Sequence, residues 1–148
     1  MNKILIASDH AGFELKKTLI ASEKTIPWVD LGAFSIDSVD YPDYADLLCQ
    51  KLIKETDDSD LLNTFGVLIC GSGQGMAIRA NRYPQIRAAL CFNAEITRLS
   101  REHNNANILV LPGRFVTLEQ AQEYIKIFAE TKFAGGRHSA RVAKLSKK

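Results

Sequence analysis

The sequence predicts an α/β fold: one Rossmann-like, doubly wound domain over residues 1–148, a three-layer sandwich around a five-stranded parallel sheet of order 2-1-3-4-5. Three observations predict it. Five short apolar runs recur along the chain, with segments of helical character between and after them. The runs are unbroken aliphatic stretches, not alternations of apolar and polar residues, as expected of strands covered on both faces. A glycine turn closes the central run and leads into a helix, which is half of a βαβ unit. Right-handed crossovers then place the helices in two layers.

Lys3 to Ser8 is the first strand, ending in Asp9-His10-Ala11-Gly12. Phe13 to Ala21 has helical periodicity through Phe13, Leu15 or Lys16, and Leu19-Ile20. Ile26 to Leu31 is a second strand, closed by Gly32. A polar connection leads to Tyr41-Pro42-Asp43-Tyr44, where Pro42 or Asp43 starts a helix reaching Thr56. Its inner face carries Ala45, Leu48, Cys49, Leu52 and Ile53. Thr56 to Asp60 is a polar loop before the central strand, Phe65 to Cys70.

Beyond the glycine turn, a helix from Gln74 to Arg82 stops near Pro84. Ala88 to Phe92 is the fourth strand, and Ala94 to Arg101 a short helix leading into Glu102-His103-Asn104-Asn105. Ile108 to Leu111 is the fifth strand, terminated by Pro112-Gly113-Arg114. Thr117 with Gln120 forms a capping box for a helix to about Thr131. Phe133-Ala134-Gly135-Gly136 breaks it, a basic helix runs from Arg137 to Leu145, and Ser146-Lys147-Lys148 is a frayed tail.

The central turn reads Cys70-Gly71-Ser72-Gly73-Gln74-Gly75-Met76. Glycines at alternate positions let a ligand approach the main chain, and amides at a helix start hold anions without a charged side chain. Two familiar motifs are excluded. A dinucleotide fingerprint would need glycine at position 76, which is Met76, and Cys91-Phe92-Asn93 stands where its acidic ribose partner belongs. A P-loop needs Lys and a hydroxyl residue after the last glycine, but Gly75 is followed by Met76-Ala77. An anion-holding loop with a thiol and a hydroxyl remains, and so does a tight turn around a structural cysteine. With the predicted strand order, Asp9-His10 and Cys70-Gly71-Ser72 meet at the switch point between strands one and three, where such sheets bind ligands.

Composition narrows the classes further. A net charge of +2 gives no reason to expect nucleic acid, and no apolar run approaches a membrane span. The N-terminus enters a strand pattern directly, unlike a signal peptide. Cys49, Cys70 and Cys91 are odd in number and widely spaced, consistent with reduced thiols in a cytoplasm. Cys49 and Cys91 read as core. His10, His103 and His138 show no metal-ligand spacing.

Several motifs together resemble the type B ribose-5-phosphate isomerases, a family that includes the galactose-6-phosphate isomerase subunits. They are Ser8 to Gly12, Tyr41 to Ala45, Cys70 to Gly75, His103 to Asn107 and Gly135-Gly136-Arg137-His138, spread over nearly the whole chain. The family often has threonine where Ser72 stands. Some members use a glutamate base a few residues beyond the cysteine, but position 75 is glycine, which leaves Cys70.

The resemblance implies interconversion of ribose 5-phosphate and ribulose 5-phosphate through an enediolate, with no metal or organic cofactor. Cys70 would be the base, its thiolate stabilised by the helix N-terminus. The amides of Gly71, Gly73 and Gly75, with the Ser72 hydroxyl, would hold the enediolate oxygens. Asp9 and His103 are the ring-opening candidates; Asn104 orients the sugar and Tyr44 packs on it. Arg137 and Arg141, one helical turn apart, would grip the phosphate, with His10 and Arg114 as further ligands and His138 as a weaker one. A solvated basic face is the bland alternative for Arg137, His138 and Arg141.

The same resemblance implies a homodimer with active sites shared between subunits, and leaves open whether dimers pair. Hexose 6-phosphates are alternative substrates, and a non-catalytic phosphosugar-binding module is the competing class.

Overall fold

The computed structural model describes residues 3–56 and 63–147. Most of the polar loop expected before the central strand, and the last residue of the tail, lie outside the described residues. Five parallel strands form one sheet: β1 (Lys3–Ser8), β2 (Trp28–Asp30), β3 (Thr64–Cys70), β4 (Ala88–Leu90) and β5 (Ile108–Pro112). The helices are α1 (Phe13–Ser22), α2 (Tyr41–Glu55), α3 (Gln74–Ala80), α4 (Ala94–Asn104), α5 (Leu118–Glu130) and α6 (Ser139–Leu145).

The strand order is 2-1-3-5-4, which corrects the expected 2-1-3-4-5. Burial explains it. Every residue of β5 is buried, as are all of β3, whereas the three residues of β4 are only half-buried. A strand with an unbroken aliphatic run needs cover on both faces and takes the centre. The short β4 takes the edge, as the equally short β2 does on the other side.

The exchange moves a helix. Because β4 connects inward to β5, right-handed crossover puts α4 on the face of α1 and α5, not beside α2 and α3. The packing agrees, with α4 and α1 against α5, and α2 against α3. One apolar layer joins Ile4, Ile6, Phe65, Val67 and Leu109 to Leu19, Tyr124, Ile125 and Phe128. The opposite layer joins Leu5, Leu68 and Val110 to Ala45, Leu48, Leu52 and Met76. Cys49 and Cys91 are core residues, and burial drives the Cys49 thiol up to about 12.

Local signals act as expected at several element ends. Thr117 Oγ1 accepts the Gln120 amide while Gln120 Oε1 accepts the Thr117 amide, completing the capping box of α5. Asn93 caps α4 by accepting the Ile96 amide at 2.8 Å. The basic C-terminal segment is not one helix: Gly136–His138 form a 3-10 turn, and α6 begins at Ser139. Gly135 and Gly136 have φ of 64° and 53°, which a regular helix start at Arg137 does not use. Among the described residues, no helix is long and apolar enough to cross a membrane.

Candidate active site

β1 and β3 are neighbours with Ser8 opposite Ile69, so Asp9 and Cys70 leave the sheet side by side at its carboxyl edge. The Asp9 amide donates to the Ile69 carbonyl at 3.2 Å, and Asp9 Oδ1 accepts the Gly12 amide at 3.0 Å. Gly12 must be glycine, since a Cβ there would stand 2.5 Å from the Ile69 carbonyl oxygen. This close approach seats the Asp9 turn against β3.

Cys70 is buried, and the amides of Gly73, Gly75 and Met76 hydrogen-bond its side chain. Gly73 has φ of 78°, the left-handed conformation that turns the loop back over the thiol. The thiol pKa is nonetheless raised: burial outweighs the three amides, and the Asp9 charge adds to the rise. The loop amides at the helix start offset part of this rise, as the expected stabilisation of the thiolate requires, but burial outweighs them. Two of the three glycine amides expected to hold substrate oxygens, those of Gly73 and Gly75, bond the sulfur in this structure.

The corrected strand order brings a further side chain to this loop. With β5 beside β3, Gly113 donates its amide to the Cys70 carbonyl at 2.8 Å and Arg114 donates its amide to the Gly71 carbonyl at 3.0 Å. A Cβ on Gly71 would lie 3.5 Å from Arg114 Nη1, so the guanidinium lies over the loop. Ser72 is exposed at the tip, and its hydroxyl accepts the Gln74 amide at 3.4 Å. His10 Nδ1 accepts the Val39 amide at 3.2 Å, which orients the ring.

Of the two tyrosines at the start of α2, Tyr44 packs against Gly32, where a Cβ would come within 2.8 Å of its ring. Tyr41 covers the loop: a Cβ on Gly75 would stand 2.4 Å from its Cζ. Tyr41 is a candidate site residue that sequence reasoning did not single out. Its signal was the bare third glycine, which leaves room for a ring against the main chain.

Asp9, His10, Cys70, Ser72, Tyr41 and Arg114 thus share one edge. His103, Asn104, Arg137, His138 and Arg141 do not join them. α4 starts near the carboxyl edge and has 11 residues, so it descends about 16 Å at about 1.5 Å per residue. Its end reaches the opposite edge, where the Asn107 amide donates to the Arg87 carbonyl and the Asn107 carbonyl accepts the Gly66 amide.

A second cluster forms there. The rings of His103 and His138 stack with centroids 4.3 Å apart. Arg101, buried and with no carboxylate among its hydrogen-bond partners in the described residues, donates to Asn105 Oδ1 at 2.9 Å and to the Thr131 carbonyl at 3.3 Å. It pins the turn after His103 to the end of α5. Burial, helped by Arg87, lowers its pKa to about 10. Among the described residues, no group of three or more His, Cys, Asp or Glu side chains converges as metal ligands would.

A family model described as Ribose/Galactose Isomerase matches residues 4–145. The chain belongs to the ribose/galactose isomerase family. A ribose 5-phosphate isomerase from Thermotoga maritima is 49% identical, with a TM-score of 0.90 covering 98% of this chain and 97% of that one. The ribose-5-phosphate isomerase B of Mycoplasma genitalium, solved with bound ribulose-5-phosphate, is 39% identical with a TM-score of 0.88, covering 97% of this chain and 93% of that one. A probable ribose-5-phosphate isomerase B from Mycoplasma pneumoniae is 41% identical over 145 residues, 96% of this chain and 91% of its own.

Proposed function

We propose that this ribose/galactose isomerase interconverts ribose 5-phosphate and ribulose 5-phosphate, with Cys70 as the base. The observation that carries the reading is the Cys70 thiol itself, buried at the switch point under three amides, beside Asp9 and next to Gly71, which Arg114 covers. A base that moves a proton between C1 and C2 must be shielded from water and lie next to groups that hold the developing oxyanion. Cys70 ionises at the cost of its burial, and the loop amides that bond the sulfur limit that cost. The Ser72 hydroxyl and the adjacent main chain hold the enediolate oxygens. Arg114 and His10 face the same opening and take part of the phosphate.

The site is completed by a second subunit. His103 and Asn104 stand at the far edge of their own sheet, together with Arg137, His138 and Arg141. A two-fold axis that brings this cluster over the partner's Cys70 loop makes two equal sites from two incomplete ones. His103, with Asp9, then opens the sugar ring, Asn104 orients it, and Arg137 and Arg141 grip the phosphate. Ile78, Phe92, Ile96 and Phe115 are large apolar side chains left exposed, which suits a covered surface. Such a dimer would work in the cytoplasm.

A substrate panel tests this. Purified protein should isomerise ribose 5-phosphate and turn over galactose 6-phosphate and allose 6-phosphate far more slowly. Cys70→Ala should lose roughly a hundredfold to ten-thousandfold in kcat, the usual share of general acid–base catalysis. A preference for a hexose phosphate would replace the pentose assignment, and wild-type turnover by Cys70→Ala would remove the cysteine mechanism.

A further inference from the structure

Two imidazoles face each other where α4 ends. The rings of His103 and His138 are nearly parallel, 16° apart in plane, with centroids 4.3 Å apart. His138 is buried, whereas His103 is only half-buried. The segment leading into the 3-10 turn that carries His138 is tied to α4, since the Ala134 amide donates to the Glu102 carbonyl at 3.0 Å.

The protonation of His138 follows from its partner. Arg137 Nε donates to His138 Nε2 at 3.4 Å. A guanidinium has donors only, so in this contact Nε2 is the accepting nitrogen of a neutral ring. Burial and the neighbouring His103, Arg137 and Arg141 all hold the His138 pKa below its usual value, opposed by Glu102. From α4, the charge of Glu102 acts on His138 and that of Glu95 interacts with His103, and both carboxylates are bonded to Arg98.

We propose that His138 is a positioning residue, whose ring, stacked on that of His103, fixes the imidazole plane of His103 for proton transfer to and from the ring oxygen of the sugar. The inference rests on the ring-opening role of His103 proposed above. A free imidazole turns about its Cβ–Cγ bond; stacked on a second ring it does not, and the aim of its nitrogen is set. A neutral partner is also required electrostatically. The π-face of an uncharged ring tolerates the imidazolium that forms on His103, while a second cation would oppose it.

Steady-state kinetics of the full-length enzyme with ribose 5-phosphate, for His138→Ala, His138→Phe and His103→Ala, tests the proposal. His138→Ala should lower kcat at least tenfold and leave KM within about threefold. His138→Phe restores a flat uncharged ring and should recover most of the lost kcat. Exchange of the C1 proton of ribulose 5-phosphate with solvent deuterium offers a second readout. That ketose cannot close to a furanose, because its C5 oxygen carries the phosphate, so enolisation on Cys70 proceeds without ring opening. His138→Ala should keep this exchange near the wild-type rate.

A rise in KM with kcat unchanged, in both His138 variants, would mark a phosphate ligand and overturn the proposal. So would equal losses of exchange and isomerisation. Full turnover by His103→Ala would remove the underlying ring-opening role instead; an inactive His103→Ala beside a fully active His138→Ala would overturn only the positioning role.

Discussion

The carboxylate of Asp9 raises the pKa of the Cys70 thiol across the boundary between β1 and β3, adding to the larger effect of burial. Both side chains are almost fully buried at the carboxyl edge. The main chain holds them together, through the Asp9 amide on the Ile69 carbonyl. Two groups assigned to separate chemical steps are therefore coupled: the charge of one makes the other harder to ionise.

Asp9→Asn should make Cys70 easier to ionise. Removing a negative charge favours the thiolate, so the pKa falls from its raised position towards the ordinary thiol value. Asn still offers an oxygen to the Gly12 amide, so the turn is kept. The pH profile of iodoacetamide alkylation should move to lower pH in Asp9→Asn, even as isomerisation falls. In the wild type, kcat/KM should climb with pH into the alkaline range, because the base must lose a proton that burial holds on. An alkylation profile displaced to higher pH in Asp9→Asn would contradict the coupling.

Gly12→Ala should destabilise the fold by about 1–3 kcal/mol, the usual cost of overpacking. Its Cβ would meet the Ile69 carbonyl oxygen at 2.5 Å, and β3 is a central strand that cannot yield as a side-chain tip can. For a chain of this size each kcal/mol shifts Tm by roughly 2–4 °C, so a loss of several degrees is expected by calorimetry. An unchanged Tm would show that the β1–α1 turn moves away freely.

These two positions show what the sequence carries and what it leaves out. The Asp9 turn and the Cys70 loop were legible because a glycine marks each close approach and a strand leads directly into each. The exchange of β4 and β5 was not legible from crossover rules, since both orders keep right-handed connections. The difference lay in strand composition: Ala88-Ala89-Leu90 is half-buried, and Ile108 to Leu111 fully buried. That exchange is what seats Arg114 over Gly71, a contact that the predicted order would have put two strands away. The rise in the Cys70 pKa was hidden for another reason. A glycine loop announces its amides, but the desolvation that outweighs them depends on packing by residues far along the chain.

Arg137→Ala or Arg141→Ala should weaken binding of ribose 5-phosphate by roughly tenfold to a hundredfold, the range for a hydrogen bond to a charged group. Neither guanidinium is tied to a carboxylate among the described residues, and both are exposed. Turnover of free ribose, poor in the wild type, should change much less. Equal losses with ribose and ribose 5-phosphate would argue against a phosphate grip.

The last prediction concerns which subunit supplies His103. Its own Cys70 lies at the opposite edge of the sheet, about 16 Å of helix away. Two inactive variants, Cys70→Ala and His103→Ala, separate the possibilities. Each homodimer lacks one essential group in both of its sites. In a mixed dimer with shared sites, one site combines both defects and the other is intact. Random pairing of equal amounts makes half the dimers mixed, each with one good site of two, so co-refolding should restore about a quarter of wild-type activity. A site built within one chain behaves differently, because every site then carries one defect whatever the pairing. Activity should also follow the fraction of mixed dimers as the ratio of the two variants is varied, with its maximum at equal amounts. Mixed dimers present by native mass spectrometry, with no recovered turnover, would show that each chain uses its own His103.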